Sequence, residues 1–69
     1  MKNRLKLLRI KNNIKVEELA KTLGISTKKY LEYETSEKNL PLSTLIKISK
    51  IYNTSIDYIV GDTDVEFRN

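Results

Sequence analysis

Apolar residues along the chain recur three and four positions apart and fall into five short runs, the pattern of amphipathic helices. The first run predicts a helix from about Asn3, a good N-cap, to about Asn12. Leu5 and Leu8 turn inward there, and Asn13 suits the left-handed residue that ends a helix. The second is expected from about Val16 to Leu23, with Leu19, Ala20 and Leu23 as its apolar stripe and Gly24 closing it. A third starts after Ser26, an N-cap, and reaches Glu34 or Thr35. Pro41 opens the fourth, in which Leu42, Leu45, Ile48 and Tyr52 stand at helical spacing before a stop near Asn53. The fifth is brief, Ile56 to Val60, set between Ser55 and Gly61, with Asp57 placed to suit the helix dipole. Beyond it, only Val65-Glu66-Phe67 hints at the alternation of a strand.

Five short helices with short connections predict an all-α, compact five-helix fold. One domain is expected over residues 1–61, followed by a short C-terminal tail, 62–69, too short to be a sensor domain. The 69 residues include no Cys and no His. Disulfides, thiol chemistry and the usual zinc or transition-metal sites are therefore not expected, nor is a cofactor or a ligand pocket of useful size. With no arranged nucleophile and base, the chain is not read as an enzyme, and no residue is assigned a catalytic or metal-binding role. The charged start MKNRLKLLRIK has no signal-peptide core, and no apolar run nears the ~20 residues of a spanning helix. The expected compartment is the cytoplasm, without membrane association.

Charge adds direction to this picture. Residues 1–29 hold nine Lys or Arg and two acids, a net +7; residues 30–69 hold four Lys or Arg and seven acids, a net −3. A basic half of that kind permits contact with a polyanion and equally describes a solvated lysine-rich surface.

Helices two and three, separated by Gly24-Ile25-Ser26, have the spacing of a helix-turn-helix. The turn must be tight, so that one helix crosses the phosphate backbone while the next enters the major groove. Leu5, Leu8-Arg9, Glu18-Leu19-Ala20, Leu23-Gly24-Ile25-Ser26, Tyr33-Glu34, Pro41-Leu42, Thr44-Leu45, Ile48 and Ser55-Ile56-Asp57 through Gly61 extend the match. In that ordered combination the chain resembles the Cro/Xre family of helix-turn-helix DNA-binding proteins, the lambda-repressor-like domain. The resemblance implies major-groove binding of double-stranded DNA by helix three and, in most members, a two-fold symmetric homodimer. It also implies an ion pair between Arg9 and Glu34 that joins helix one to the end of helix three.

Departures from the family pattern fall at functional places. The Thr or Ser that commonly caps helix two and the Gln after it are Lys15 and Val16 here, so a cap and a phosphate-directed donor are lost. The usual Asn-Gly after helix three is Thr35-Ser36, and a typically basic position is Glu37. On a helical projection Ser26, Tyr30 and Tyr33 share one face, which places both tyrosines in the core. The opposite face holds Lys28, Leu31, Glu32 and Thr35, with Thr27 and Lys29 on the flanks, and Thr27, Lys28, Leu31 and Glu32 are the candidate base-reading residues. Lys donates to guanine, Leu meets a thymine methyl and Glu accepts from the cytosine amino group. The competing account of Lys28 and Glu32 is a solvated i, i+4 pair. Lys15, Ser26, Lys29, Lys38 and Asn39 are candidate phosphate contacts, whereas Lys2, Lys6 and Lys11 are read as solvated. Ile56, Ile59 and Val60 exceed what so short a helix needs for inward packing and are the expected dimer surface. The functional expectation is a sequence-specific regulator of transcription, a repressor that covers operator DNA. The alternative is a protein-interaction module on the same fold, an antirepressor or antitoxin-like partner, for which Val16, Leu31, Glu32 and Glu37 would mark a surface released from DNA.

Overall fold

The computed structural model describes residues 3–35 and 40–66. Its helices are α1 (Leu5–Lys11), α2 (Val16–Leu23), α3 (Thr27–Thr35), α4 (Leu42–Tyr52) and α5 (Ile56–Val60). Each of the five expected segments is present, and local chemistry marks the ends of α1, α2, α4 and α5. The N-cap of α1 is Arg4 and not the expected Asn3; Asn3, one residue earlier, accepts the Leu5 N–H on Oδ1 at 3.0 Å. Ser55 caps α5 by accepting the Tyr58 N–H at 3.0 Å. Asn13, Gly24, Asn53 and Gly61 all take positive φ after their helices.

All five helices contribute to one core. Leu5 and Leu8 come from α1, Leu19, Ala20 and Leu23 from α2, Tyr30 from α3, Leu45, Ile48 and Tyr52 from α4, and Tyr58 and Ile59 from α5. Each buried Leu or Ile is worth about 1.5–3 kcal/mol against leaving it exposed. The closest packing among the described helices is between α2 and α3.

Two expectations about apolar positions are corrected. Leu42 does not join the α4 core stripe; it is 64% exposed. As the first residue of α4 it precedes the inward face, and Leu40, on the other side of Pro41, is buried in its place. Leu40 at N′ and Leu45 at N4 are spaced as a hydrophobic staple. Ile59 is not a surface residue: it is fully buried in the core of its own chain, leaving Ile56 and Val60, both half-buried, as what remains of the expected dimer surface. The short α5 spends its apolar excess inward because it closes one end of the core, with the Ile59 carbonyl accepting the Arg4 N–H at 2.8 Å.

The segment after Gly61 lies against α1. Arg4 Nη1 donates to the carbonyls of Tyr58 and Thr63, both at 2.6 Å, and Nη2 to Asp64 at 2.8 Å, while the guanidinium stacks 4.2 Å from the Tyr58 ring centroid. Lys11 pairs with Glu66 at 2.5 Å, and the Thr54 hydroxyl donates to the Glu66 carbonyl. Val65 and Glu66 form no strand, and Phe67 lies outside the described residues. Among the described residues no helix is long and apolar enough to cross a membrane.

Candidate nucleic-acid interface

The α2–α3 corner is built by its backbone. Gly24 adopts φ 73°, ψ 29°, and its N–H donates to the Lys21 carbonyl at 3.1 Å. The Ile25 N–H reaches back to the Ala20 carbonyl at 3.0 Å, completing a Schellman-type closure of α2. Ile25 packs against the core, so the turn is tied down by a side chain as well. Ser26 then caps α3 by accepting the Lys29 N–H on Oγ at 3.1 Å. That hydroxyl is exposed, with its donor proton free to face outward.

α3 is anchored along one edge. Tyr30 is fully buried, and Tyr33, half-buried, packs on the core with Lys29 Nζ 5.5 Å from its ring centroid. Glu34 is held by Arg9 through a two-pronged pair, Nε to Oε2 at 2.6 Å and Nη2 to Oε1 at 3.3 Å. The Glu34 side chain is only 4% exposed and that of Arg9 17%, so the pair is partly desolvated, as the resemblance implied. Its hydrogen bond to Glu34 raises the Arg9 guanidinium above its ordinary value, against the opposing effect of desolvation. Tyr30 and Tyr52 close the polar cluster. Burial, and then the neighbouring Glu34 carboxylate, push the Tyr30 phenol far above its usual range; its hydroxyl faces that carboxylate without the geometry of a hydrogen bond. Burial pushes the Tyr52 phenol up to about 12, with Arg9 pulling down and Glu34 adding to the rise. Neither hydroxyl has a hydrogen-bond partner among the described residues.

The opposite edge of α3 is open. Thr27, Lys28, Leu31 and Glu32 are all exposed, Leu31 by 42%. Lys15 and Lys29, candidates for phosphate contact, are exposed as well, whereas Lys38 and Asn39 lie outside the described residues. Lys15 makes no side-chain cap for α2, so the lost cap is real, and the first N–H groups of that helix find no side-chain acceptor from it. Val16, which replaces a polar residue of the family pattern, packs on the core, so its apolar character serves the fold.

The charge picture changes once the chain is folded. Three cations of the basic half, Arg4, Arg9 and Lys11, are matched by Asp64, Glu34 and Glu66 of the acidic half. Lys11, read as solvated, is therefore in an ion pair. Within residues 15–35, four lysines (15, 21, 28 and 29) stand against four glutamates (17, 18, 32 and 34). With the Glu34 side chain buried against Arg9, the surface offered by α2 and α3 carries those four lysines against three exposed glutamates, a pattern of single charges with a small basic excess. Sequence reasoning missed the Arg4 and Lys11 contacts because their partners lie 60 and 55 residues away. No local spacing signals such pairs.

A family model described as helix-turn-helix matches residues 5–59. The chain is similar to an uncharacterized HTH-type transcriptional regulator, YobD, of Bacillus subtilis, 39% identical over 61 residues, which are 88% of this chain and 54% of that protein. It is similar to the HTH-type transcriptional regulator ImmR of Bacillus subtilis, 35% identical over 66 residues, 96% of this chain and 52% of that protein. The cryptic phage CTXphi transcriptional repressor RstR of Vibrio cholerae is 32% identical over 57 residues, 83% of this chain and 51% of its own length. The chain spans about half the length of these relatives.

Proposed function

Since the chain belongs to the Cro/Xre-type helix-turn-helix family of DNA-binding transcriptional regulators, we propose that it is a sequence-specific repressor that reads the major groove of double-stranded DNA with α3. The observation that carries this reading is the two-sided construction of α3. One edge is anchored by Tyr30, Tyr33 and Glu34, while Thr27, Lys28, Leu31 and Glu32 stand exposed on the other. Lys28 donates to guanine, Glu32 accepts from the cytosine amino group, Leu31 meets a thymine methyl and Thr27 serves either kind of partner. Lys15, Ser26 and Lys29, with Lys38 and Asn39 of the following segment, hold phosphates and set the register. Uncapped N–H groups at the start of α2 add backbone donors to that set.

Two copies related by a two-fold axis would place their α3 helices in successive major grooves about 34 Å apart. The chain measures 30 × 23 × 20 Å, a size that lets side-by-side copies meet that spacing. Ile56 and Val60 supply an apolar edge for such a contact. Repression follows from occupancy, since a dimer on operator DNA excludes polymerase, and the compartment of action is the cytoplasm.

The test is selection of duplexes from a random pool by the purified chain, followed by anisotropy titration of the selected duplex and a scrambled one at several salt concentrations. The expected result is preference for the selected duplex, with log K falling against log salt by about 0.9 per phosphate contact. Selection of no sequence, or equal affinity for both duplexes, would sink the proposal. The exposed Glu32 and Leu31 would then favour the second reading, in which the same face of α3 meets a partner protein.

A further inference from the structure

The last turn of α3 is held to α1 at two points, and only one of them is the ion pair. Asn3 Nδ2 donates to the Tyr33 carbonyl at 2.8 Å, across 30 positions of sequence. The same carboxamide accepts the Leu5 N–H on Oδ1 at 3.0 Å. Tyr33 is among the last four residues of α3, whose carbonyls have no partner within the helix. One side chain therefore bonds to the start of α1 and to the end of α3. Six positions further along, Arg9 grips Glu34, the residue next to Tyr33.

We propose that Asn3 is a positioning residue for α3, its carboxamide bridging the start of α1 to the Tyr33 carbonyl and thereby setting the angle at which the exposed edge of α3 is presented. The need for a second grip follows from the packing. Tyr30 is the one fully buried residue of this helix and Tyr33 packs on the core only half-buried, so the apolar contacts alone leave its last turn room to rock. The Arg9–Glu34 pair stops rotation about the α3 axis but is carried by two long side chains. A short carboxamide bonded to backbone on both sides has far less play, and it acts on the helix itself. The bond from the Leu5 N–H uses only the acceptor half of Asn3, so the donor half is spare for this second duty. This inference rests on the proposal that α3 reads DNA only for its functional consequence; the mechanical role stands on the two hydrogen bonds.

Asn3→Asp separates the two halves. The carboxylate keeps the acceptor for the Leu5 N–H and removes the donor that Tyr33 needs, while Asn3→Ala removes both. Three readouts are taken on the full chain: the orientation of α3 against α1 from residual dipolar couplings, the melting temperature, and affinity for the selected and scrambled duplexes. The expected result for Asn3→Asp is a reoriented α3, a melting temperature close to that of the parent, unchanged affinity for scrambled DNA and about a tenfold loss on the selected duplex, the size of one disturbed base-pair contact. An unchanged α3 orientation, with selected-duplex affinity also unchanged, overturns the proposal. So does an equal loss on both duplexes, which would mark Asn3 as a stability residue only. Should the parent chain select no duplex, the DNA-reading proposal fails separately. The couplings then decide alone: a tilted α3 in Asn3→Asp upholds the positioning role, and an unmoved one removes it.

Discussion

At Gly24 the chain turns through φ 73°, and a Cβ built there meets nothing within 4 Å. The penalty for another residue is therefore backbone strain without a steric clash. Gly24→Ala is expected to lower unfolding free energy by about 1–2 kcal/mol. Denaturant titration should show a lower midpoint at unchanged slope, and Gly24→Asn should fall between the two. A different mechanism governs Arg9. Removing it strands the Glu34 carboxylate in a site where its side chain is 4% exposed. Breaking such a pair costs about 3–5 kcal/mol, whereas replacing both partners by apolar residues can be neutral or better. Arg9→Ala should therefore unfold much of the population, and Arg9→Met with Glu34→Leu should recover stability, as a double-mutant cycle followed by circular dichroism will show.

Among the elements, α2 and α3 divide the proposed work between position and sequence. Lys15 sits at the entrance of α2 and Lys28 in the first turn of α3, both exposed. If Lys15 meets phosphate, Lys15→Ala should weaken all duplexes alike and reduce the salt slope by about 0.9. Lys28→Ala should instead cost about 1–3 kcal/mol on the selected duplex and relax the preference at a single base pair. Anisotropy against a set of single-substituted duplexes distinguishes these outcomes, and identical behaviour of the two variants would contradict the division. The anchored edge of α3 keeps its aromatic residues away from the exposed edge proposed to read DNA. Tyr30 is taken up by the core, and Tyr33 by the core and by Asn3 through its carbonyl.

For the molecule as a whole, folding pairs Arg4 and Lys11, at the two ends of α1, with Asp64 and Glu66 from the far end of the chain. Arg4 is the centre of that closure, with two carbonyls, one carboxylate and one ring around it. Arg4→Ala is expected to cost about 1.5–3 kcal/mol, the range for a hydrogen bond involving a charged group, and to open residues 62–66 to protease while α3 stays protected. Limited proteolysis read by mass spectrometry checks this. Alkaline stability is a second global property. Tyr30 and Tyr52 are both raised in the fold, Tyr52 to about 12 from an ordinary 10.0, so the folded state holds the phenol protons more tightly than the unfolded chain does. Their contribution is complete below about pH 10 and is lost as pH rises toward the folded-state values, by about 1.4 kcal/mol per pH unit for each tyrosine. Phenolate absorbance should rise together with unfolding. Tyr52→Phe should reduce that slope and, by removing a hydroxyl without a partner among the described residues, cost little or nothing at neutral pH.

The helices, their stops and the helix-turn-helix corner were legible because they depend on residues within a turn of one another. Apolar spacing, Ser26 and Ser55 as caps, and Gly24 and Gly61 as left-handed closures are local devices, and they determined five elements and the corner between two of them. The resemblance also marked Arg9 and Glu34 as partners. Burial at the ends of elements was not legible in the same way. Leu42 and Ile59 carry the right residue type at the right spacing, yet one is exposed and the other is sealed inside. Only packing of whole helices decides which side of a short element is left open. The closure of α1 by Asp64 and Glu66, and the second duty of Asn3 at Tyr33, likewise arise from tertiary structure. A side chain's hydrogen-bonding capacity is written in the sequence, but its partner is chosen by what the fold brings within 3 Å of it.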